Sequence, residues 1–270
     1  MAYFAQECQF IICNEWLTLL RNGGSVCSGI VAHYVPQYPV YRGQANCAWN
    51  LRPSLFVKQQ SKSWNLEDLR RIENNIYFDF TINAKGILNP NTPSWETLFQ
   101  MRHYGFPTRI LDWTESLNIA IYFAVYGVGD SPCIWVLKPH DLNLISLGNS
   151  DLLNPLVSSD GIKDYCQSFI TTDLSSFDPY YKTPFVIISP RFSDRISAQR
   201  GLFTVQTDNN EMIDQMPTFA SCVKKVELLR NGVTKNEIKE YLKIMGINHF
   251  TVFPDFEGLR MFLSEEYNLD

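Results

Sequence analysis

Three observations predict an α+β fold, a mixed and mainly antiparallel sheet flanked by helices, over most of these 270 residues. Short β-branched and aromatic runs bounded by Gly and Pro read as strands. Stretches with apolar residues at helical spacing lie between them, without the regular strand–helix–strand alternation of a doubly wound sheet. A content of 45% hydrophobic and 14% aromatic residues supplies a packed core.

In chain order, CQFIICNEWLTLLR (8–21) is amphipathic and closed by NGG, so residues 1–35 are expected to form an N-terminal helical extension ahead of a domain spanning 36–270. VPQYPVYRGQ (35–44) reads as a strand. LEDLRRIENNIYFDFTINAK (66–85) places Leu66, Leu69, Ile72, Ile76 and Phe80 on one helical face. SWETLFQMRHY (94–104) is a helix with Ser94 as expected N-cap, stopping at Gly105 before Pro107. A short strand TRIL (108–111) leads to a helix ESLNIAIYFAVYG (115–127), which Asp112 or Thr114 is placed to cap. CIWVLKP (133–139) is a strand, 140–183 reads as loops and short helices, and FVIISP, GLFTVQ and VKKVELL are further strands. Thr234 and Glu237 make a capping box for a helix ending at Gly246. HFTVFPDFEGLRMFLSEEY reads as strand, Pro-Asp turn and closing helix.

The formal charge of −5, from 23 basic and 28 acidic side chains, shows no basic excess of the kind that binds polyanions wholesale, though a local basic groove is compatible with it. No apolar run reaches the roughly 18 residues needed to span a bilayer, so no membrane association is expected. The seven cysteines are scattered, without CxxC pairs or histidines at ligand spacing. That disfavours a metal site or a disulfide framework, and reduced thiols in a cytoplasmic protein are expected.

Signatures for nucleotide loops (GxGxxG, GxxxxGK[ST]), zincins (HExxH) and serine hydrolases (GxSxG) are absent. What stands out is polar residues at strand ends and on rigid turns. YRGQ (41–44) puts Arg42 beside Gly43 and Gln44. Its guanidinium suits phosphate or carboxylate, or a structural ion pair, and the glycine allows close approach of a ligand to the backbone. HYGFPTRILDWT (103–114) gathers His103, Tyr104, Thr108, Arg109, Asp112, Trp113 and Thr114 in one loop–strand–loop passage shaped by Gly105 and Pro107. Asp112 is the near candidate to pair with Arg109. RISAQRG (195–201) sets Arg195 and Gln199 on one helical face, and the Gln199 amide orients hydroxyls but is a poor general base.

Taken together, YRGQ, QMRHYGFPTRILDWTESLNIAIYFAV, RISAQRGLF and TVFPDFEGL resemble the FRG domain family, named for its aromatic-Arg-Gly motif, in order and spacing over roughly residues 40–263. The chain has Arg102 before His103, where that family has Gln. The layout is also similar to the ADP-ribosyltransferase fold, and this resemblance implies an NAD-dependent transferase modifying a protein or nucleic acid. It implies NAD as substrate, no metal, and a toxin or phage-defence effector with a partner or antitoxin protein. Carried onto this sequence, Arg42, Thr114 and Gln199 take the catalytic positions. Arg42, Gln44, His103, Tyr104, Thr108, Arg109, Asp112, Trp113 and Thr114 would hold the NAD. Gln199 stands where such enzymes carry an acid, which leaves a non-catalytic nucleotide or nucleic-acid binding module as the alternative.

Overall fold

A computed structural model describes residues 39–89, 91–156, 162–170, 181–188, 194–229 and 232–269. The expected helix 8–21 and the whole 1–35 extension lie outside these residues. The described strands form one six-stranded sheet, β1 (Val40–Gln44), β2 (Ile110–Thr114), β3 (Cys133–Leu137), β4 (Phe185–Ile188), β5 (Gly201–Val205) and β6 (Val223–Glu227). Its order is β4-β5-β2-β1-β3-β6, and every neighbouring pair is antiparallel. The helices are α1 (Ser54–Lys62), α2 (Leu66–Asn83), α3 (Ser94–His103), α4 (Leu117–Tyr126), α5 (Pro139–Leu147), α6 (Tyr165–Phe169), α7 (Asp194–Gln199), α8 (Lys235–Ile244), α9 (His249–Val252) and α10 (Phe256–Glu266). This is a mixed α+β arrangement around an antiparallel sheet.

The two-residue period of the strands sorts their side chains onto opposite faces. Leu111, Trp113, Trp135, Leu137, Val186 and Leu202 share one core with Leu142 of α5 and Phe219. On the other face, Ile110, Phe185, Ile187, Phe203 and Val205 pack with aromatic residues of α2, α3 and α6. At the far end of that face, Tyr41 and Ile134 pack with α4, α8 and Val252 of α9.

Four local expectations are corrected. The strand read over 108–111 is shifted to Ile110–Thr114, so Asp112, Trp113 and Thr114 belong to a ladder paired with β5, not to a turn. Ser94 does not cap α3. Its hydroxyl donates to Asp164 Oδ2 at 2.5 Å and accepts from the Tyr165 amide at 2.9 Å, tying α3 to α6. Helix α2 buries Leu69, Glu73 and Tyr77, because a buried arginine opposite draws Glu73 inward. HFTV is helical, since Asn248 and Thr251 close a reciprocal capping box and this local hydrogen bonding outweighs the β propensity of the residues. By contrast, the Thr234–Glu237 capping box forms as the sequence predicts.

The sheet is split at its centre. β1 pairs with β3, and β2 with β5, along their full lengths, but β1 and β2 meet only at Tyr41 and Thr114. Packing explains part of this. At Gly43 an added Cβ would lie 1.8 Å from the Ala120 carbonyl oxygen and 2.7 Å from the Ala124 amide nitrogen, so α4 rests directly on the backbone of β1. The glycine's bare backbone is used by a helix of the chain itself, and the small residues at 120 and 124 are the matching half of that contact.

Candidate functional site

A cleft of about 890 Å³ opens where β1 and β2 part, at the upper end of the size range of small-molecule sites. Its walls come from β1 and β2, the segment after β1, the C-terminal end of α3, and α7. Among the described residues four arginines line it, Arg42, Arg52, Arg102 and Arg195, against one carboxylate, Asp112, a balance of four minus one or +3.

The centre of this charge pattern is Asp112. Arg102 Nε donates to both of its carboxylate oxygens at 3.1 Å, and Arg102 Nη2 makes a further short contact with Oδ2. Arg42 approaches the same carboxylate, its Nη1 lying 3.5 Å from Oδ2, and donates to the Asp112 backbone carbonyl at 2.8 Å. That last bond stands in the gap where the β1–β2 ladder has ended. Asp112 keeps its side chain 42% exposed in the cleft wall; partial desolvation there opposes its ionisation, but the two guanidiniums outweigh it and hold the carboxyl at about 2. Arg102 is held more firmly protonated by Asp112. Burial acts the other way on Arg42, whose pKa is lowered even though Asp112 partly restores it. Its Nε is buried with no hydrogen-bond partner, a state that costs about 1–3 kcal/mol unless an acceptor arrives.

The remaining expected residues divide. Gln44, His103, Asp112, Trp113, Thr114 and Gln199 all line the cleft with Arg42. Several are committed to holding it together. Thr114 Oγ1 donates to the Gln199 carbonyl at 2.6 Å and accepts from the Ser116 amide at 3.0 Å, which anchors α7 to β2 just ahead of α4. It is not the N-cap of that helix, a position Ser116 occupies without a side-chain bond. Gln44 accepts from Trp135 Nε1 at 2.8 Å and donates to the Asn50 carbonyl at 3.3 Å, bracing the segment that follows β1. The Trp113 indole is buried and donates to Thr204 Oγ1 at 3.1 Å. The pKa of His103 is lowered, first by burial and then by Arg195, so its imidazole is neutral at pH 7.

Three expected ligand contacts lie elsewhere. Tyr104 is 66% exposed and set edge-on to His103, outside the cleft wall. Thr108 is buried behind Ser54, which accepts from its amide at 3.1 Å. Arg109 does not pair with Asp112. It is fully buried at the other side of β2, donating from Nε to Glu73 Oε1 at 2.7 Å and from Nη1 to the Gln206 carbonyl at 2.9 Å. Asp208 Oδ1 lies 3.3 Å away, and the guanidinium covers the Phe169 ring at 4.1 Å. Its charge is satisfied inside the core, so it is a fixture of the fold.

Sequence reasoning left out Trp49, Arg52 and a role for Arg102. AWNLRP (48–53) has the same aromatic-and-arginine texture as YRGQ a few residues earlier, and that recurrence was the available signal. Trp49 is half exposed and lines the cleft, where a planar group entering can meet its ring.

No curated protein and no solved structure matches this chain. A family model does, over residues 37–131, the stretch that carries YRGQ, Arg102, Asp112 and the helix seated on Gly43. Those residues are an FRG domain.

Proposed function

We propose that the cleft binds NAD and transfers its ADP-ribose to an acceptor, a protein or a nucleic acid, in the manner of an ADP-ribosyltransferase. The observation that carries this reading is the set of four arginines, Arg42, Arg52, Arg102 and Arg195, around a cleft whose charge balance among the described residues is +3. The paired oxygens of a pyrophosphate suit the planar donors of guanidinium. Trp49 offers a face for a base or the nicotinamide ring.

Cleavage of the nicotinamide–ribose bond develops positive charge on the ribose, which a fixed negative group stabilises. Among the described residues Asp112 is the carboxylate in the cleft wall, and at about 2 its pKa keeps it ionised throughout the neutral range. Such a group is a steady electrostatic partner and a poor proton acceptor. Neutral His103 at the cleft is the residue suited to take a proton from the acceptor. Thr114 acts through structure, fixing α7 and so the position of Gln199.

A second reading, a nucleotide-binding module without turnover, is favoured by the commitment of Asp112 to two arginines and by the amide at Gln199. One experiment separates them. The chain is incubated with NAD and cell lysate or RNA, and nicotinamide is measured alongside calorimetric binding. Release that Arg42→Ala abolishes supports transfer. Binding without release under every acceptor supports the module, and neither binding nor release refutes both.

A further inference from the structure

The FPDFEG stretch (253–258) reads from sequence as a turn into the closing helix, and its surroundings give it a task. Beside Ile196, helix α7 carries two polar side chains into the cleft wall, Arg195 and, one turn later, Gln199. Both are anchored from behind at the end of α9. Gln199 Nε2 donates to the Val252 carbonyl at 3.3 Å, and the Arg195 guanidinium lies over the Phe253 ring, 4.3 Å from its centroid. Phe253 is itself fixed by edge contacts with Phe123 at 5.9 Å and Tyr122 at 6.1 Å between ring centroids. The turn that follows is tight. A Cβ on Gly258 would fall 1.8 Å from the Phe253 carbonyl oxygen, and Asp255 Oδ1 accepts from the Gly258 amide at 2.8 Å, so the start of α10 folds back onto Phe253.

Arg195 differs from Arg109 and Arg102 in how its charge is met. Arg109 is neutralised by Glu73 and Asp208, and Arg102 is locked on Asp112. Arg195 has no carboxylate within ion-pair distance among the described residues. Its partner is the face of an aromatic ring. A cation–π contact occupies the flat face of guanidinium and leaves the in-plane N–H donors and the positive charge available. Asp112 and Asp255 act on Arg195 only through the longer-range field.

We propose that Arg195 is a further anion-contacting residue of the cleft, and that Phe253 in the FPDFEG turn is the positioning residue that aims it. The ligand chemistry is a phosphate or pyrophosphate group gripped jointly with Arg42. This rests on the reading of the cleft as a nucleotide site, but it needs only the anion.

The test uses the full chain and inorganic pyrophosphate as probe, with affinity read by calorimetry and packing by near-ultraviolet circular dichroism. The expected result is that the wild type binds and that Arg195→Ala weakens binding about tenfold or more, the loss of one charge-assisted contact. Phe253→Leu, which keeps an apolar side chain and removes the ring, weakens it about fivefold, and Phe253→Tyr restores it. The circular dichroism stays that of the wild type throughout. The proposal is overturned if the wild type does not bind pyrophosphate, or if Arg195→Ala binds as the wild type does. It is also overturned if Phe253→Leu and Phe253→Tyr weaken binding alike, or if affinity falls only together with the dichroism signal. Failure of NAD to bind while the pyrophosphate results hold removes the NAD reading alone.

Discussion

Replacing Gly43 with alanine tests the structural account of the RG motif most directly. The new methyl carbon would sit 1.8 Å from the Ala120 carbonyl oxygen, where ordinary contact begins at 3.4 Å, so β1 and α4 must separate by 3.4 − 1.8, or 1.6 Å. The obstructing atoms are helix backbone, which cannot swing aside as a side chain would. Overpacking in cores lined by side chains costs about 1–3 kcal/mol, and this site belongs at the upper end or beyond it. For a domain of this size 1 kcal/mol moves Tm by about 2–4 °C, so a fall of about 6–12 °C is expected. Gly105→Ala is the control. There the backbone has φ +80° and nothing stands within 4 Å, so only the left-handed strain of about 1–2 kcal/mol is added. Thermal unfolding of the three proteins, with pyrophosphate affinity measured below the transition, gives the result. If Gly43→Ala melts within about 2 °C of the wild type and loses only ligand binding, the glycine serves a ligand and the helix-packing argument is wrong.

Two further expectations concern the charges. Arg109→Met leaves Glu73 buried without its cation, while Asp208 keeps Arg70, and should cost about 3–5 kcal/mol, a drop in Tm on the order of 10 °C. Unchanged stability in calorimetric melting would show that the network is dispensable. Asp112 titrates near 2 in the folded protein, below its ordinary value of 3.8, so its ion pairs stabilise above pH 4 and that contribution is lost as pH falls towards 2. The Tm difference between wild type and Asp112→Asn should therefore be constant from pH 7 to 4 and close on further acidification. A difference that persists unchanged to pH 2 rules out the depressed carboxyl.

The cleft was half legible in advance. Arg42, Asp112 and Gln199 stand out because polar residues beside glycine, at a strand end or on a short helix are costly unless used, and all three meet in one hollow. Arg109 carried the same signal and belongs to the core, because sequence shows that a charge is present but not which face of a sheet it enters. HFTV was misread for a related reason: a four-residue helix is decided by one capping box, and its residue types favour a strand.

What the chain order determined alone was local and periodic: the helices at 66–83, 94–103, 117–126 and 235–244, most of the strands, and the glycine and capping signals that end them. Those features depend on neighbours within a few residues. The split between β1 and β2 and the bond from Arg42 to Asp112 involve residues distant in sequence, as does the stacking of Arg195 on Phe253. Only the packed sheet brings such partners together, because the free energy that selects them comes from burying two faces at once and from charges that must find one another within them.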